Sequence, residues 1–486
     1  MGGVFTPGEN KVRPGVYSTY SNIGTPAPVS VSTNTVGCVF DAKWGPFEPT
    51  LITRLQDATK YYGSAGTTEI IELVLSQGAR VMAVRLGSAD ASAAAATKTM
   101  VDTTAVTPKN AVVLTAAYKG TRAIGFTLTD SPINSNKREF KVYVDGTANW
   151  ALVETITIDA GSSSYGGLGE GQGLVAAINA NSEYLTAAWA NDSDNKVLAT
   201  VSSITALTGG VDVAAPDSTD YENALTALEG EEINVLVMDE DDHSGSVAVL
   251  GETFVTEWFS SAGKRVVYVT GEPTATAWAT RVGYAAAIND EKVVFVGNGL
   301  IDSAGSTYDG WKAAALIGGL IAVTPNNQSI THAVMSGYTT IADPLTNAEV
   351  EEALENGMLV FTRSRANQIQ VEQGINTLIT LASTQDEGWK KIRRTRTRFE
   401  LMDRCDAAIE PLIGRVNNDS AGRALMRATM QTQIQDMINT GKLSAGTASV
   451  DSSNPPRGDR AYFVLNVDDN DSMEKIYLQY GFRYSA

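Results

Sequence analysis

From residue 217 onward, short fully apolar runs alternate with helix-length stretches. Residues 233–238, 266–270 and 293–297 are continuous apolar runs and predict buried strands. Residues 222–228, 247–260 and 274–288 predict helices, and 311–322 an Ala/Gly/Leu-rich buried helix stopped by Pro325. Apolar strands separated by helices of that length imply βαβ units and a parallel sheet covered on both faces. Upstream, 36–40 and 80–85 predict strands, and 57–62 and 68–77 predict helices.

The pattern changes near residue 88. From there to about 215 the chain is rich in Ala, Thr, Ser, Gly, Asn and Asp, with short β-type runs at 111–117, 125–129, 140–144, 153–158 and 198–203 and a helix at 173–179. Asp145-Gly146 and Gly166-Gly167 supply turns between them. A β-rich inserted surface domain is expected over 89–215. Beyond the α/β part, helices are predicted at 347–356, 404–411 and 421–440, the last ended by Gly441. A Ser/Gly/Pro loop spans 444–459, and strands are predicted at 461–467 and 475–484. In the final strand Ile476, Leu478, Tyr480, Phe482 and Tyr484 share one face, by the two-residue period. The first thirty residues, with Pro14, Pro26 and Pro28, read as an extended arm.

The fold class expected is therefore α/β, and α+β over the whole chain. Its parts are an arm at 1–30, a central mostly parallel domain at 31–88 plus 216–362, the β-rich insertion, and an α+β oligomerisation domain at 363–486 ending in a second arm.

Length and charge narrow the function. A chain of 486 residues exceeds what one core comfortably supports. Lys and Arg total 37 against 55 Asp and Glu, a formal charge of −18, which argues against nucleic acid as main partner. The two cysteines, Cys38 and Cys405, lie far apart and fit a reducing compartment. No secretory signal is visible at the start, and the longest apolar run, 313–323, is too short for the ~20 residues that span a bilayer.

Motifs of catalysis are mostly missing. The sequence has no GxxxxGK[ST], GxSxG, HExxH or paired CxxC. Two clusters stand out. Asp239, Glu240, Asp241, Asp242 and His243 directly follow the strand at 233–238, where open α/β sheets bind ligands; an enzyme using a divalent metal there is the alternative reading, against a solvated turn whose acids cap the next helix. The other is basic: Lys390, Lys391, Arg393, Arg394, Arg396, Arg398 and Arg404 crowd into 390–404, against only Glu400 and Asp403. Such a stripe in an acidic protein suits an acidic protein partner.

Several segments, in order, resemble the contractile tail sheath family of myophages, prophages and phage-tail-like bacteriocins. Arg13-Pro14-Gly15-Val16-Tyr17 resembles the family's opening arm. The run 313–323 with Thr324-Pro325 and Ser329-Ile330-Thr331 resembles its core segment, and Val371-Glu372-Gln373-Gly374-Ile375-Asn376-Thr377-Leu378 another of its stretches. Residues 347–357, 399–418 and 467–482 continue the likeness, while 88–215 lies outside it. The resemblance implies a structural subunit, not an enzyme, with no cofactor, catalytic residue or metal. It would form helical rings with copies of itself around an inner tail tube protein, and meet baseplate and tail terminator proteins, with no direct nucleic acid or membrane contact. The particle would be a phage or bacteriocin tail assembled in the bacterial host cytoplasm. Residues 13–17 and the face of Ile476, Leu478, Tyr480 and Phe482 would link neighbouring subunits by strand addition. Lys390, Lys391, Arg393, Arg394, Arg396 and Arg398 would face the tube.

Overall fold

A computed structural model describes residues 34–63, 68–104, 106–146, 149–190 and 197–483. The arm residues Arg13, Pro14, Gly15, Val16 and Tyr17 lie outside the described residues, as does Tyr484.

In chain order the first elements are β1 (Thr35–Phe40), β2 (Thr50–Ile52), α1 (Leu55–Tyr62), α2 (Glu69–Ser76) and β3 (Arg80–Arg85). An inserted lobe follows with β4 (Thr97–Val101), β5 (Asn110–Ala116), β6 (Ile124–Asp130), β7 (Lys137–Val144), β8 (Ala151–Asp159), a single turn α3 (Ser164–Gly167), α4 (Glu170–Asn181), β9 (Leu185–Trp189) and β10 (Val201–Ala206). The chain then runs through α5 (Ser218–Leu228), β11 (Val235–Met238), α6 (Ser246–Glu257), β12 (Val267–Gly271), α7 (Trp278–Ile288) and β13 (Val293–Val296). After β14 (Gly299–Asp302) and β15 (Thr307–Tyr308) come α8 (Trp311–Val323), β16 (Tyr338–Ala342), α9 (Asn347–Glu355), β17 (Met358–Leu359), β18 (Phe361–Arg363) and β19 (Ile369–Val371). The last elements are α10 (Ile392–Ile409), α11 (Ser420–Asn439), β20 (Leu443–Val450) and β21 (Phe463–Asp469).

The central sheet has the order β17-β13-β12-β11-β1-β3-β2. Every pairing in it is parallel except that of β2 with β3. Because side chains alternate along a strand, the apolar run of β11 serves two cores. Leu236 and Met238 join Tyr221, Leu225 and Leu228 of α5 and Val255 of α6 on one face. Val235 and Val237 meet α8 on the other, where a side chain at Gly318 would strike Val237. Small residues in α8 thus let helix and sheet approach closely. The mixed α/β architecture expected from the periodicity is the one observed.

The inserted lobe leaves the end of β3 and returns before α5. Its sheets β10-β6-β7-β8 and β4-β5-β9 enclose a core of Phe126, Phe140, Val142, Leu114, Leu174 and Ile178. Two arginines join it to the parallel domain. Buried Arg85 donates to the carbonyls of Ala42 (2.5 Å) and Lys119 (2.9 Å). Arg122 bonds Asp145 through both Nε (2.8 Å) and Nη2 (2.7 Å), donates to the Lys60 carbonyl at 2.7 Å, and lies over the ring of Trp44. Trp44, from the loop after β1, stacks on Tyr184 of the lobe.

The chain divides into two compact units: 32–396 with the terminal segment from Asp471, and a second containing 397–470. In the second, Met430, Ile434 and Met437 of α11 pack with Leu401, Cys405, Leu443 and Ala448. Glu400 accepts from Arg404 (2.8 Å) and Lys442 (2.5 Å) beneath that core.

Candidate functional site

The terminal segment beyond β21 departs from its predicted form. Residues 471–483 form no ladder in the structure, although their polar/apolar alternation is that of a strand. Ile476, Tyr477, Leu478, Tyr480 and Phe482 are 66–89% exposed. An alternating apolar strip with no partner strand is an unfilled pairing position.

Its root, by contrast, is held. The carboxylate of Glu474 accepts from Gln373 Nε2 (2.9 Å), Thr331 Oγ1 (3.0 Å) and Ser329 Oγ (3.1 Å), with Lys391 Nζ at 3.3 Å. Lys391 also bonds Asp471 at 2.8 Å. Burial opposes the charge on Glu474, yet Gln373 and Lys391, with the two hydroxyls, hold its carboxyl below the usual carboxylate range. A groove of about 670 Å³, lined in part by Leu354, Ile375 and Leu378, runs under residues 471–475. Glu474 carried no sequence signal, because its partners come from the loop at 329–331, the stretch after β19 and the basic segment.

In the second unit, β20 and β21 pair antiparallel over 443–450 and 463–469 and form a two-stranded sheet. Among the described residues neither strand has a second neighbour, so both outer edges are open. The prediction of a Ser/Gly/Pro loop at 444–459 missed β20: Gly446 and Ala448 are small because α11 lies against them, and a side chain at Gly446 would strike Ile434.

The basic segment is largely spent inside the chain. Arg393 and Arg396 are 6% and 7% exposed. Arg396 donates to the carbonyls of Thr324 (2.7 Å) and Ala322 (3.4 Å) at the end of α8, where a cation offsets unpaired carbonyls and the helix dipole. Arg394 bonds Asp386 at 3.1 Å, Lys390 pairs with Glu387 at 3.0 Å, and Lys391 holds the terminal root. Lys390, Lys391, Arg394 and Arg398 keep partial exposure. The run is helical from Ile392, twelve residues earlier than expected, and periodicity rather than charge sign decides which arginines are buried.

The acidic turn disperses its carboxylates. Asp239 accepts from the backbone N–H of Asp41 (2.6 Å) and the hydroxyl of Tyr221 (2.8 Å). Glu240 accepts from the backbone of Asp241 and Asp242, and Asp242 from Ser244. His243 is buried against Glu272 at 2.9 Å. Burial pushes the Asp239 carboxyl up to about 7 and the Asp241 carboxyl to about 6. This is the point between β1 and β11 where the sheet reverses winding and where such folds take ligands; here Asp239 is taken up by Tyr221 and the backbone of Asp41. Among the described residues no three His, Cys, Asp or Glu side chains group to hold a metal ion. Among the described residues the metal-enzyme alternative thus has no convergent ligand set, and the expected helix cap is not seen either: α6 begins after Gly245 with no side-chain cap, while the carboxylates bond Tyr221, Ser244 and nearby backbone.

Residues 214–377 match the family model described as the phage tail sheath protein central domain. An uncharacterised protein of Bacillus subtilis (strain 168), YqbK, is 23% identical over 98% of each chain. The sheath tail protein of Listeria innocua superposes with a TM-score of 0.69 at 18% identity, over 91% of this chain and 96% of that one. The helical sheath of the anti-feeding prophage, in its contracted state, superposes at 0.52 and 11% identity, over 97% and 99% of the two chains.

Proposed function

Since the chain carries, over residues 214–377, the central domain of the phage tail sheath family, we propose that it is the structural subunit of a contractile tail sheath, polymerising helically around an inner tube and contracting to drive that tube through a bacterial envelope. The observation that carries this reading is the terminal segment: an alternating apolar strip left unpaired, in a chain whose two-stranded sheet has both edges open among the described residues. A strand from another copy laid on β20 or β21 satisfies backbone donors and acceptors along the edge while Ile476, Leu478, Tyr480 and Phe482 bury one face. A two-stranded sheet is marginal by itself, so strand addition stabilises acceptor and donor together. The arm with Arg13, Pro14, Gly15, Val16 and Tyr17 is proposed as the complementary link.

Contraction in this reading uses no cofactor and no bound nucleotide; the free energy comes from larger contact between subunits in the contracted state. The tube-facing role falls on the partly exposed Lys390, Lys391, Arg394 and Arg398, with Arg393 and Arg396 as internal supports. Baseplate and tail terminator proteins are the proposed end partners, and the host cytoplasm the proposed place of assembly. Pelleting of the purified chain tests the reading. Polymer should sediment above a threshold concentration and be lost when Ile476, Leu478, Tyr480 and Phe482 are all changed to Ser. Pelleting unchanged by those four substitutions overturns strand donation.

A further inference from the structure

The exposed strip has a nearer acceptor than any neighbour: the sheet that its own chain has just left. β21 ends at Asp469, and the strip begins at Ile476. Hairpins close readily over loops of two to five residues or slightly more. An intrachain strand tethered by so short a loop sees its acceptor at an effective concentration on the order of millimolar. Joining two molecules carries, in addition, the loss of one partner's translational and rotational freedom. Left alone, the segment should fold back and pair with β21. A subunit closed in that way would have no strand to give.

The residues that such a hairpin turn requires are bound elsewhere. Asn470 donates from its backbone to Lys442 (3.1 Å) and from Nδ2 to the carbonyls of Gly441 (3.1 Å) and Leu443 (3.2 Å). Asp471 is paired with Lys391, and Ser472 Oγ reaches Glu474 at 3.4 Å. Glu474 is gripped by Ser329, Thr331, Gln373 and Lys391. We infer that this clamp on Glu474 blocks self-pairing of the terminal segment, so that its strand is available only to another copy of the chain. Glu474 is thus a positioning residue: it touches no acceptor edge, and acts by fixing where the segment leaves its own subunit. The inference rests on the strand-donation reading above.

The grip also suits the task chemically. Four donors from outside the terminal segment on one half-buried carboxylate form a charge-assisted network, stronger than neutral bonds and specific in direction. The donors come from segments far apart in sequence, so the clamp exists only once the parallel domain has folded.

The test compares the full chain with Glu474→Ala, Glu474→Gln and a chain ending at Glu474. Amide hydrogen exchange is followed at a dilution where all are monomeric, and polymer is counted by electron microscopy at high concentration. Glu474→Gln keeps the side-chain shape but removes the ion pair with Lys391 and turns an amide toward the Gln373 donor, and so serves where the alanine variant folds poorly. The expected result is that amides of 476–482 and of β21 in the Glu474 variants exchange about tenfold more slowly than in the unaltered monomer, as new ladder bonds form. Polymer should fall in parallel. Exchange at 476–482 matching the unaltered chain in both variants overturns the inference. Should the chain ending at Glu474 polymerise as well as the full chain, the strand-donation reading falls and this inference with it. Should that truncation abolish polymer while Glu474→Gln retains normal exchange and normal polymer, only the clamp inference falls.

Discussion

The hydroxyl of Tyr221 donates to the carboxylate of Asp239 across 2.8 Å, beside the sheet's switch point. Tyr221 comes from α5 and Asp239 from the end of β11, so the bond ties a covering helix to the strand beneath it. The carboxylate is buried, with its acidity shifted up to about 7 by that burial.

The shift sets a pH dependence. The folded chain keeps a proton on Asp239 up to about 7, whereas the unfolded chain gives it up near 3.8. Between those values the folded state binds more protons, so this site makes stability fall as pH rises, levelling off above about 7. Thermal unfolding across that window should show the slope, and Asp239→Asn should flatten it. A slope unchanged in Asp239→Asn removes the assignment.

Inside the lobe, Arg138 and Glu170 form a buried ion pair at 2.7 Å, and Glu170 also accepts from the backbone of Leu198 and Gly161. Glu170→Ala leaves the buried Arg138 with only the exposed Asp130 carboxylate, at 3.3 Å, and should cost about 3 kcal/mol. Denaturant unfolding of the full chain measures it, with lobe amides losing exchange protection first.

The basic segment gives a third expectation. Reversing Arg393, Arg394 and Arg396 to Glu looks from sequence like a surface change that spares the fold. With Arg396 buried against the carbonyls of α8, Arg396→Glu alone should destabilise the monomer by about 3–5 kcal/mol. Arg396→Met, which keeps volume and removes charge, should cost less. Reversal of Lys390 and Arg398, both partly exposed, should leave the midpoint nearly unchanged and is the cleaner probe of a tube-facing surface.

The joint of the lobe offers a fourth. Gly120 has φ of +130°, and a side chain there would strike the carbonyl of Lys43. Gly120→Ala should therefore destabilise the junction held by Arg85 and Lys119, seen as a lowered thermal midpoint.

The parallel domain was legible because its strands are apolar on both faces and its helices have ordinary lengths. The predicted runs at 233–238, 266–270 and 293–297 coincide with β11, β12 and β13 within two residues at each end. Elements built from small residues were not legible. β20 reads as a loop because Gly446 and Ala448 are chosen for closeness to α11, which leaves no apolar alternation to detect. At 475–484 the opposite holds: the strand pattern is strong, and its described residues, 475–483, form no ladder. The acidic turn and basic stripe were visible as charge, but charge order in a sequence does not tell which partners each group meets. Glu474 was silent for the same reason, since its four distant partners converge only in three dimensions.

The central claim is that copies of this chain join into a sheath by giving one another their terminal strands. Electron microscopy of the purified full chain at high concentration, beside a chain lacking residues 475–486, tests it most directly. Hollow helical tubes from the full chain and dispersed particles from the shortened one are predicted. Tubes of equal length and number from both would contradict it.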